Sequence, residues 1–588
     1  MQDRWNLDIL YKGFDDPNFA SDFKELSEAI GAYAGLAESI QQLEPREILI
    51  KYMQAHMHIT ELVSKLGVYS NLRYSANTAD VEAASNFGRL MGILSAIAAP
   101  DAKISKIIAG FDNLEELIAS SELLTEHAYQ IRNIKRDSKY LLADGEETVF
   151  AKLNISGANA WVDLQRNLTS SLKVTVNGDD MPLSAARNLA YDPSAEVRKA
   201  AYEAELESYE KIKDSVAFAL NSVKLQVLSE CELRGYESPL QKTLYTSRMK
   251  KETLDALIGA MEEYLPVFHK YLKAKAKALG HGGALPWYDL FAPMGKSDRT
   301  YTVEDAKEYL LGIFKGFDAE LHDMVKTAFE NGWIDFYPRE NKVGGAFDCA
   351  VSSAKESRVL TNFDGSFSDI VTLAHELGHS FHDRQVFKNS PLNQEYSMPV
   401  AETASTFNEV LVMNTAIADA KNKDEKLALI ESQLMDACQI IADIYSRFTF
   451  ESSVFENRPR EFMNADRMCE LMLDAQKKAY GDGLDENFMH PYMWLCKSHY
   501  YNGSLSFYNF PYAFGGLFAR GLYAKYKAEG EGFVDTYKEM LRQTALSDIE
   551  ECAAVAGVDL TKRDFWAAGL KTISDEIDEF CALVGYSE

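Results

Sequence analysis

The decisive stretch is residues 366–383, SFSDIVTLAHELGHSFHD. Ser366 followed three positions later by Asp369 is a helix start in which each side chain can satisfy the other's backbone N–H. Ile370, Val371, Ala374 and Leu377 then fall on one helical face, so an amphipathic helix is predicted. On it His375 and His379 are four apart, and both imidazoles leave from one side, within reach of one metal ion. Glu376, beside the first histidine, leans towards the same place, where a carboxylate can hold and deprotonate a bound water. The pattern is H-E-x-x-H. Gly378 inside a helix costs about 1 kcal/mol relative to alanine, which predicts the close approach of another backbone.

A third ligand is needed. His382 lies seven after His375 on the same face, but two turns separate them by about 10.5 Å of axial rise, which strains a shared tetrahedral site. The longer pattern H-E-x-x-H-x-x-G-x-x-H is also broken, because position 382 is His and position 385 is Gln. His382 is therefore expected as a supporting or packed histidine. Downstream, Met398-Pro399 opens a helix with proline in its first turn, and PVAETASTFNE places Glu402 and Glu409 seven apart and facing one way. Glu402 suits the third ligand. Glu409 is placed to hydrogen-bond a ligand imidazole, or else to lie on a solvated helix face.

A third cluster is aromatic. Between Tyr492 and Tyr512 the segment PYMWLCKSHYYNGSLSFYNFPY holds five of the chain's 30 tyrosines, together with His499. Neutral Tyr and His can donate hydrogen bonds to a developing oxyanion. Ordinary aromatic packing is the competing reading, and the breaks at Gly503, Pro511 and Gly515-Gly516 favour a shaped loop.

Outward from these motifs, helical periodicity dominates residues 20–43, 59–72, 81–98, 195–228, 251–279 and 424–455. Strand signals are few. Residues 171–183 read as a hairpin, LKVTV running into the turn dipeptide Asn177-Gly178, and RVLTNF at 358–363 reads as a second strand. The fold class is mainly α. Residues 281–296, HGGALPWYDLFAPMGK, form a Gly/Pro-rich loop expected to be packed or functional. Two parts are expected: a mostly helical lobe with the hairpin at 1–190, and a chemistry-bearing domain at 191–588.

Composition narrows the classes. Of 588 residues, 46% are hydrophobic and 26% charged, which provides for a large core and excludes global disorder. Lys plus Arg is 61 against 89 Asp plus Glu, a net charge of −28, which disfavours nucleic acid and anionic membranes as partners. The start, MQDRWNLDIL, lacks the basic and apolar regions of a signal peptide, and no apolar run is long enough to span a bilayer. Seven dispersed cysteines without a C-x-x-C pair argue for reduced thiols and a cytoplasmic setting.

HELGHSFH at 375–382, VAETASTFNE at 400–409 and HYYNGSLSFYNFPYAFGG at 499–516 together resemble the thimet oligopeptidase superfamily of zinc metallopeptidases, and within it the oligoendopeptidase F branch. WNLDILYKGFDDPNF near the start, WYDLFAPM at 287–294 and VLTNFDGSFSDIVTLAHELGH extend the resemblance over almost the whole chain. It implies a mainly α, bilobed zincin-type fold, with a deep substrate channel and a small β-sheet near the active site. It implies one Zn2+ per chain on His375, His379 and Glu402, with Glu376 as general base acting on a zinc-bound water. His499, Tyr508 and Tyr512 match the family's transition-state hydrogen-bond donors. The strand containing Val359, Leu360 and Thr361 matches the edge strand that binds substrate backbone by β-addition. The expected activity is endopeptidase cleavage of short unstructured oligopeptides. Two other classes stay open on the sequence: a zinc hydrolase trimming free C-termini, and a non-catalytic peptide-binding protein.

Overall fold

The computed structural model describes residues 2–295 and 299–587; Lys296, at the end of the Gly/Pro-rich loop, lies outside the described residues. The described residues are mainly helical, with five short strands among them. Its contacts divide it into two compact units, each assembled from three segments. The first contains Met1–Leu141, Arg299–Val412 and Glu529–Gly557; the second contains Leu142–Asp298, Met413–Ala528 and Val558–Glu588. The expected boundary near residue 190 thus falls inside the second unit, between the helices Leu183–Asn188 and Ala195–Tyr209.

In the first unit the helix Pro17–Ser39 starts under an Asp16 cap and packs along Pro45–Ala76. Phe19, Phe23, Leu26 and Ile30 recur at helical spacing and meet Leu62, Leu66 and Tyr69 in a buried core, with aromatic edges at Tyr11 and Phe14. Against this core lies a three-stranded sheet of β3 (Ile334–Asp335), β4 (Phe347–Val351) and β5 (Glu356–Leu360). The order is β3-β5-β4, with β5 parallel to β3 and antiparallel to β4.

This order corrects one expectation. Val359 and Leu360 are in the central strand, paired to Asp348 and Phe347 on one side and to Ile334 and Asp335 on the other. Thr361 follows, its N–H donated to the Asp335 carbonyl at 2.9 Å and its hydroxyl to Phe336. All three residues are buried, and their backbone groups are occupied by the sheet. The edge strand beside them is β4, whose first four residues are half-buried.

The second unit carries the expected hairpin, β1 (Lys173–Val176) and β2 (Asp179–Pro182), here turned by Asn177 and Gly178 at φ 53° and 96°. Both values are positive, as a type I′ turn requires. The helix Lys251–Ala278 runs along the C-terminal helix Arg563–Val584, with Tyr271 edge-on to Phe580 at 5.2 Å. The expected helix over 424–455 is continuous from Lys423 to Asn457 but has a π-turn at Gln439–Asp443. The stretch 281–295 is packed rather than a linker: Leu285 bridges to Leu484, and the buried Asp289 accepts from Arg198 at 2.8 Å.

Candidate active site

The motif helix is Phe367–Val386, and Ser366 and Asp369 form its reciprocal cap: the Asp369 N–H donates to Ser366 Oγ at 3.2 Å, and the Ser366 N–H to Asp369 Oδ2 at 3.0 Å. The segment carrying the two glutamates is helical from Met398 to Ala401 and again from Thr403 to Asp419, with Glu402 in the turn between. The single helix expected there is thus interrupted at Glu402 itself. Thr403 Oγ donates to the Val400 carbonyl and Ser405 Oγ to that of Glu402, local bonds that satisfy the interrupted backbone.

Gly378 lets the two segments meet. A Cβ there would sit 2.5 Å from Ser405 Cα and 2.6 Å from the Ala404 oxygen, so the predicted backbone approach is real. Asn408 ties the contact with a bond to the Ala374 carbonyl at 3.1 Å.

The contact brings three donors together. His375 Nε2 and His379 Nε2 are 3.1 Å apart, and Glu402 Oε2 lies 3.3 Å from each. A tetrahedral ion of zinc's size, with bonds of about 2.0–2.1 Å, spaces its ligands by about 3.3 Å. The triangle therefore fits one such ion, and among the described residues it is the only group of His, Cys, Asp and Glu that does so.

Supporting contacts fix the ligand orientations. His375 Nδ1 faces Glu409 Oε1 at 2.6 Å, so the ring donates there and keeps the Nε2 lone pair for a metal. Ser405 Oγ donates to Glu402 Oε2 at 2.9 Å. Burial opposes charge on His375, yet its bonds to Glu402 and Glu409 raise its pKa to about 10. Burial would lift the Glu402 carboxyl, but the two histidines hold it well below the usual carboxylate range.

Glu376 is 7% exposed, and burial raises its pKa against the pull of both histidines, which suits a proton acceptor that must later release the proton. Beneath the helix the half-buried Asp348 lies near the buried Asp383: Ser380 Oγ donates to Asp348 Oδ1 at 2.6 Å and Tyr396 to Asp383 Oδ1 at 3.2 Å. Burial and the charge of Asp383 push the Asp348 carboxyl far up, and burial raises Asp383 as well. Asp348 belongs to β4, so the pair links the sheet edge to the motif helix.

His382 is no ligand. It is fully buried, stacked on Tyr396 with ring centroids 4.1 Å apart, and bonded through Nε2 to Thr544 at 2.8 Å; burial lowers its pKa to about 3.

In the second unit His499, Tyr508 and Tyr512 form one aromatic group. Ring centroids are 5.3 Å apart for His499–Tyr508 and for Tyr508–Tyr512, and His499 Nε2 is 3.4 Å from the Tyr512 hydroxyl. Burial, reinforced by Arg447 and Lys497, lowers the His499 pKa to about 4, so the ring is neutral at pH 7.

The loop under these tyrosines has an anchor that the sequence did not reveal. Glu451, 1% exposed, accepts from Lys224 Nζ at 2.6 Å, from the Phe507 N–H at 3.1 Å and from Asn509 Nδ2 at 2.9 Å. Phe507 has φ 54°, a left-handed conformation that a phenylalanine holds only when its surroundings impose it. Asn509 Oδ1 in turn caps the Phe510 N–H at the start of the helix bearing Tyr512. Asn509 before Pro511 is a readable cap signal, whereas Glu451, Asp348 and Asp383 sit in helices and strands without any local mark.

Comparison with known proteins agrees with this geometry. The model of peptidase family M3 matches residues 188–572, and an oligopeptidase F model matches 109–173. The chain is 25% identical over 600 residues to an oligoendopeptidase F homolog of Lactococcus lactis subsp. lactis, covering 99% of this chain and 97% of the other. It is 24% identical to oligopeptidase PepF of Bacillus subtilis over 98% of this chain and 87% of the other. A crystal structure from Chlamydophila abortus superposes with TM-score 0.86 at 21% identity, covering 99% and 98% of the two chains. Oligoendopeptidase F from Enterococcus faecium superposes with TM-score 0.71 at 18% identity over 97% and 99%. At those identities the solved structures speak for the fold alone. The family match spans most of the length, and with the H-E-x-x-H helix and its glutamate in place, the chain belongs to peptidase family M3 and is a metalloendopeptidase of the oligoendopeptidase F kind.

Proposed function

We propose that this chain is a zinc-dependent endopeptidase that hydrolyses internal bonds of short, unstructured oligopeptides. The observation that carries the reading is the His375–His379–Glu402 triangle with the buried Glu376 beside it. His375, His379 and Glu402 would hold one Zn2+ per chain, with Glu409 fixing the His375 ring. When bound, zinc supplies Lewis-acid polarisation of the attacking water and of the scissile carbonyl. Glu376 takes the proton of that water on its carboxylate and passes it to the leaving amine, a shuttle that its raised pKa assists. His499, Tyr508 and Tyr512, whose ring N–H and hydroxyls can donate, are assigned to the carbonyl oxygen as it gains charge.

Substrate backbone is assigned to the edge of β4, Phe347–Val351, in place of the central strand. Ser380, one turn after Glu376 on the motif helix, donates to Asp348 of β4, which supports a peptide laid along β4 near the base. The seven cysteines are unpaired, which favours a reducing, cytoplasmic setting. No described helix is long and apolar enough to cross a membrane.

The test is a peptide blocked at both ends, mapped by mass spectrometry with and without chelator. Internal cuts that vanish with chelator and return with zinc are expected. Cleavage only of peptides with a free C-terminus would favour a C-terminal trimming enzyme, and no turnover at any zinc level would favour a binding protein.

A further inference from the structure

The second unit contains a cavity of about 230 Å³ whose lining comes from that unit alone. One wall is aromatic, with Trp287, Tyr288 and Phe291 from the packed loop, and Tyr191 lies against Phe291 at a centroid distance of 5.1 Å. Tyr191 is 51% exposed, which puts an entrance at that ring.

The polar lining has a cation in excess. Glu205 is committed: it accepts from the Tyr209 hydroxyl at 2.7 Å, and its Oε1 lies 3.3 Å from His490 Nε2 and 3.5 Å from Arg187. Asp443 is taken by Arg447, and Arg198 is matched by Asp289. Lys497, which also lines the cavity, makes no ion pair or side-chain hydrogen bond among the described residues. Burial, with Arg447 nearby, lowers its pKa, as expected of an ammonium lacking a counter-ion. His490 is 1% exposed, and its Nδ1 has no hydrogen-bond partner either. A part-buried cation and an unsatisfied ring nitrogen beside an aromatic wall are what the carboxylate of a small amphipathic molecule would complete.

We propose that this cavity binds a free amino acid with an aromatic or large aliphatic side chain, its carboxylate on Lys497 with Arg187 alongside, and its side chain among Trp287, Phe291 and Tyr191. The volume is on the scale of one such residue, which favours a free amino acid over a peptide. The same chemistry, a terminal carboxylate next to an apolar side chain, also ends a peptide. None of its lining residues belongs to the metal triangle, and its existence does not depend on the hydrolytic reading.

Calorimetric titration of the full-length protein tests this, using L-phenylalanine, L-phenylalaninamide and the tripeptide Gly-Gly-Phe, each with and without chelator. Phenylalanine is expected to bind equally in both conditions, which separates this site from carboxylate binding at a metal, and the amide to bind at least about tenfold more weakly. Gly-Gly-Phe binding as tightly as phenylalanine would replace the free amino acid by a peptide end and overturn the choice of ligand. K497M should lose roughly tenfold or more in affinity while K497R retains most of it. Should K497M melt early, Y191A, at an exposed position, is expected to weaken phenylalanine binding with the fold intact. Equal binding of acid and amide, unchanged binding in folded K497M and Y191A, or no binding of phenylalanine at millimolar concentration would each overturn the proposal.

Discussion

His375 Nδ1 and Glu409 Oε1 face each other across 2.6 Å, joining the motif helix to the helix that follows Glu402. The bond leaves only Nε2 of that ring for a metal and raises the basicity of that nitrogen. Removing such a partner typically costs about 10–100-fold in metal affinity. Glu409→Ala should therefore bind zinc more weakly by about that factor, measured by competition with a chromogenic chelator. Unchanged affinity would make Glu409 a bystander.

Gly378 is where the two segments touch, and a methyl there would meet Ser405 Cα at 2.5 Å. Alanine gains helix propensity of about 1 kcal/mol but forces backbone apart, a change that typically costs 1–3 kcal/mol. Gly378→Ala should lower both the melting temperature and zinc retention. A rise in melting temperature with full zinc retention would mean that the helices part without cost.

The Asp348–Asp383 pair sets a pH dependence whose sign can be worked out. The pair's carboxyl pKa values are raised in the folded state, so between the unfolded value and the raised value the folded chain holds a proton that the unfolded chain has released. Stability contributed by the pair is present at low pH and is lost as pH rises through that window. Asp383→Asn removes one carboxyl and should flatten the fall of melting temperature as pH rises above the ordinary carboxylate range, measured on zinc-loaded protein. Parallel curves for the two proteins would contradict the raised carboxyls.

Tyr508 and Glu451 should separate chemistry from positioning. Tyr508→Phe should lower kcat by about 10²-fold or more with little change in KM, as loss of a transition-state donor does. Glu451→Gln keeps the shape but turns an N–H2 towards the donors it held, so the Phe507–Asn509 loop should loosen. Its kcat should fall with zinc content unchanged. Loss in Glu451→Gln with none in Tyr508→Phe would assign the loop to another group on it.

The zinc-type helix was legible because every part of its signal is local: the Ser366–Asp369 cap, the four-residue histidine spacing and the costly Gly378. The Asn177-Gly178 turn was legible for the same reason. Glu402 could be found because a ligand of the right type stood near a proline-opened helix, although the break at Glu402 depends on Thr403 and Ser405 bonding back to the chain. Sheet order was not legible. RVLTNF announces a strand, but its position between β3 and β4 depends on residues that arrive from elsewhere, and FDCAV has no alternation to mark it as the edge. Glu451, Asp348 and Asp383 were invisible because their roles come from partners far away in sequence, and the two units cannot be cut from the chain at one point because each is built from three segments.

The central claim is that Glu376 moves the proton at a metal held by His375, His379 and Glu402. Glu376→Gln, purified and dialysed against zinc, tests it most directly when metal content and cleavage of a doubly blocked peptide are measured on the same sample. The account predicts one zinc per chain, as in the unaltered protein, with turnover reduced roughly 10²–10⁴-fold. Full zinc content with near-normal cleavage would contradict it.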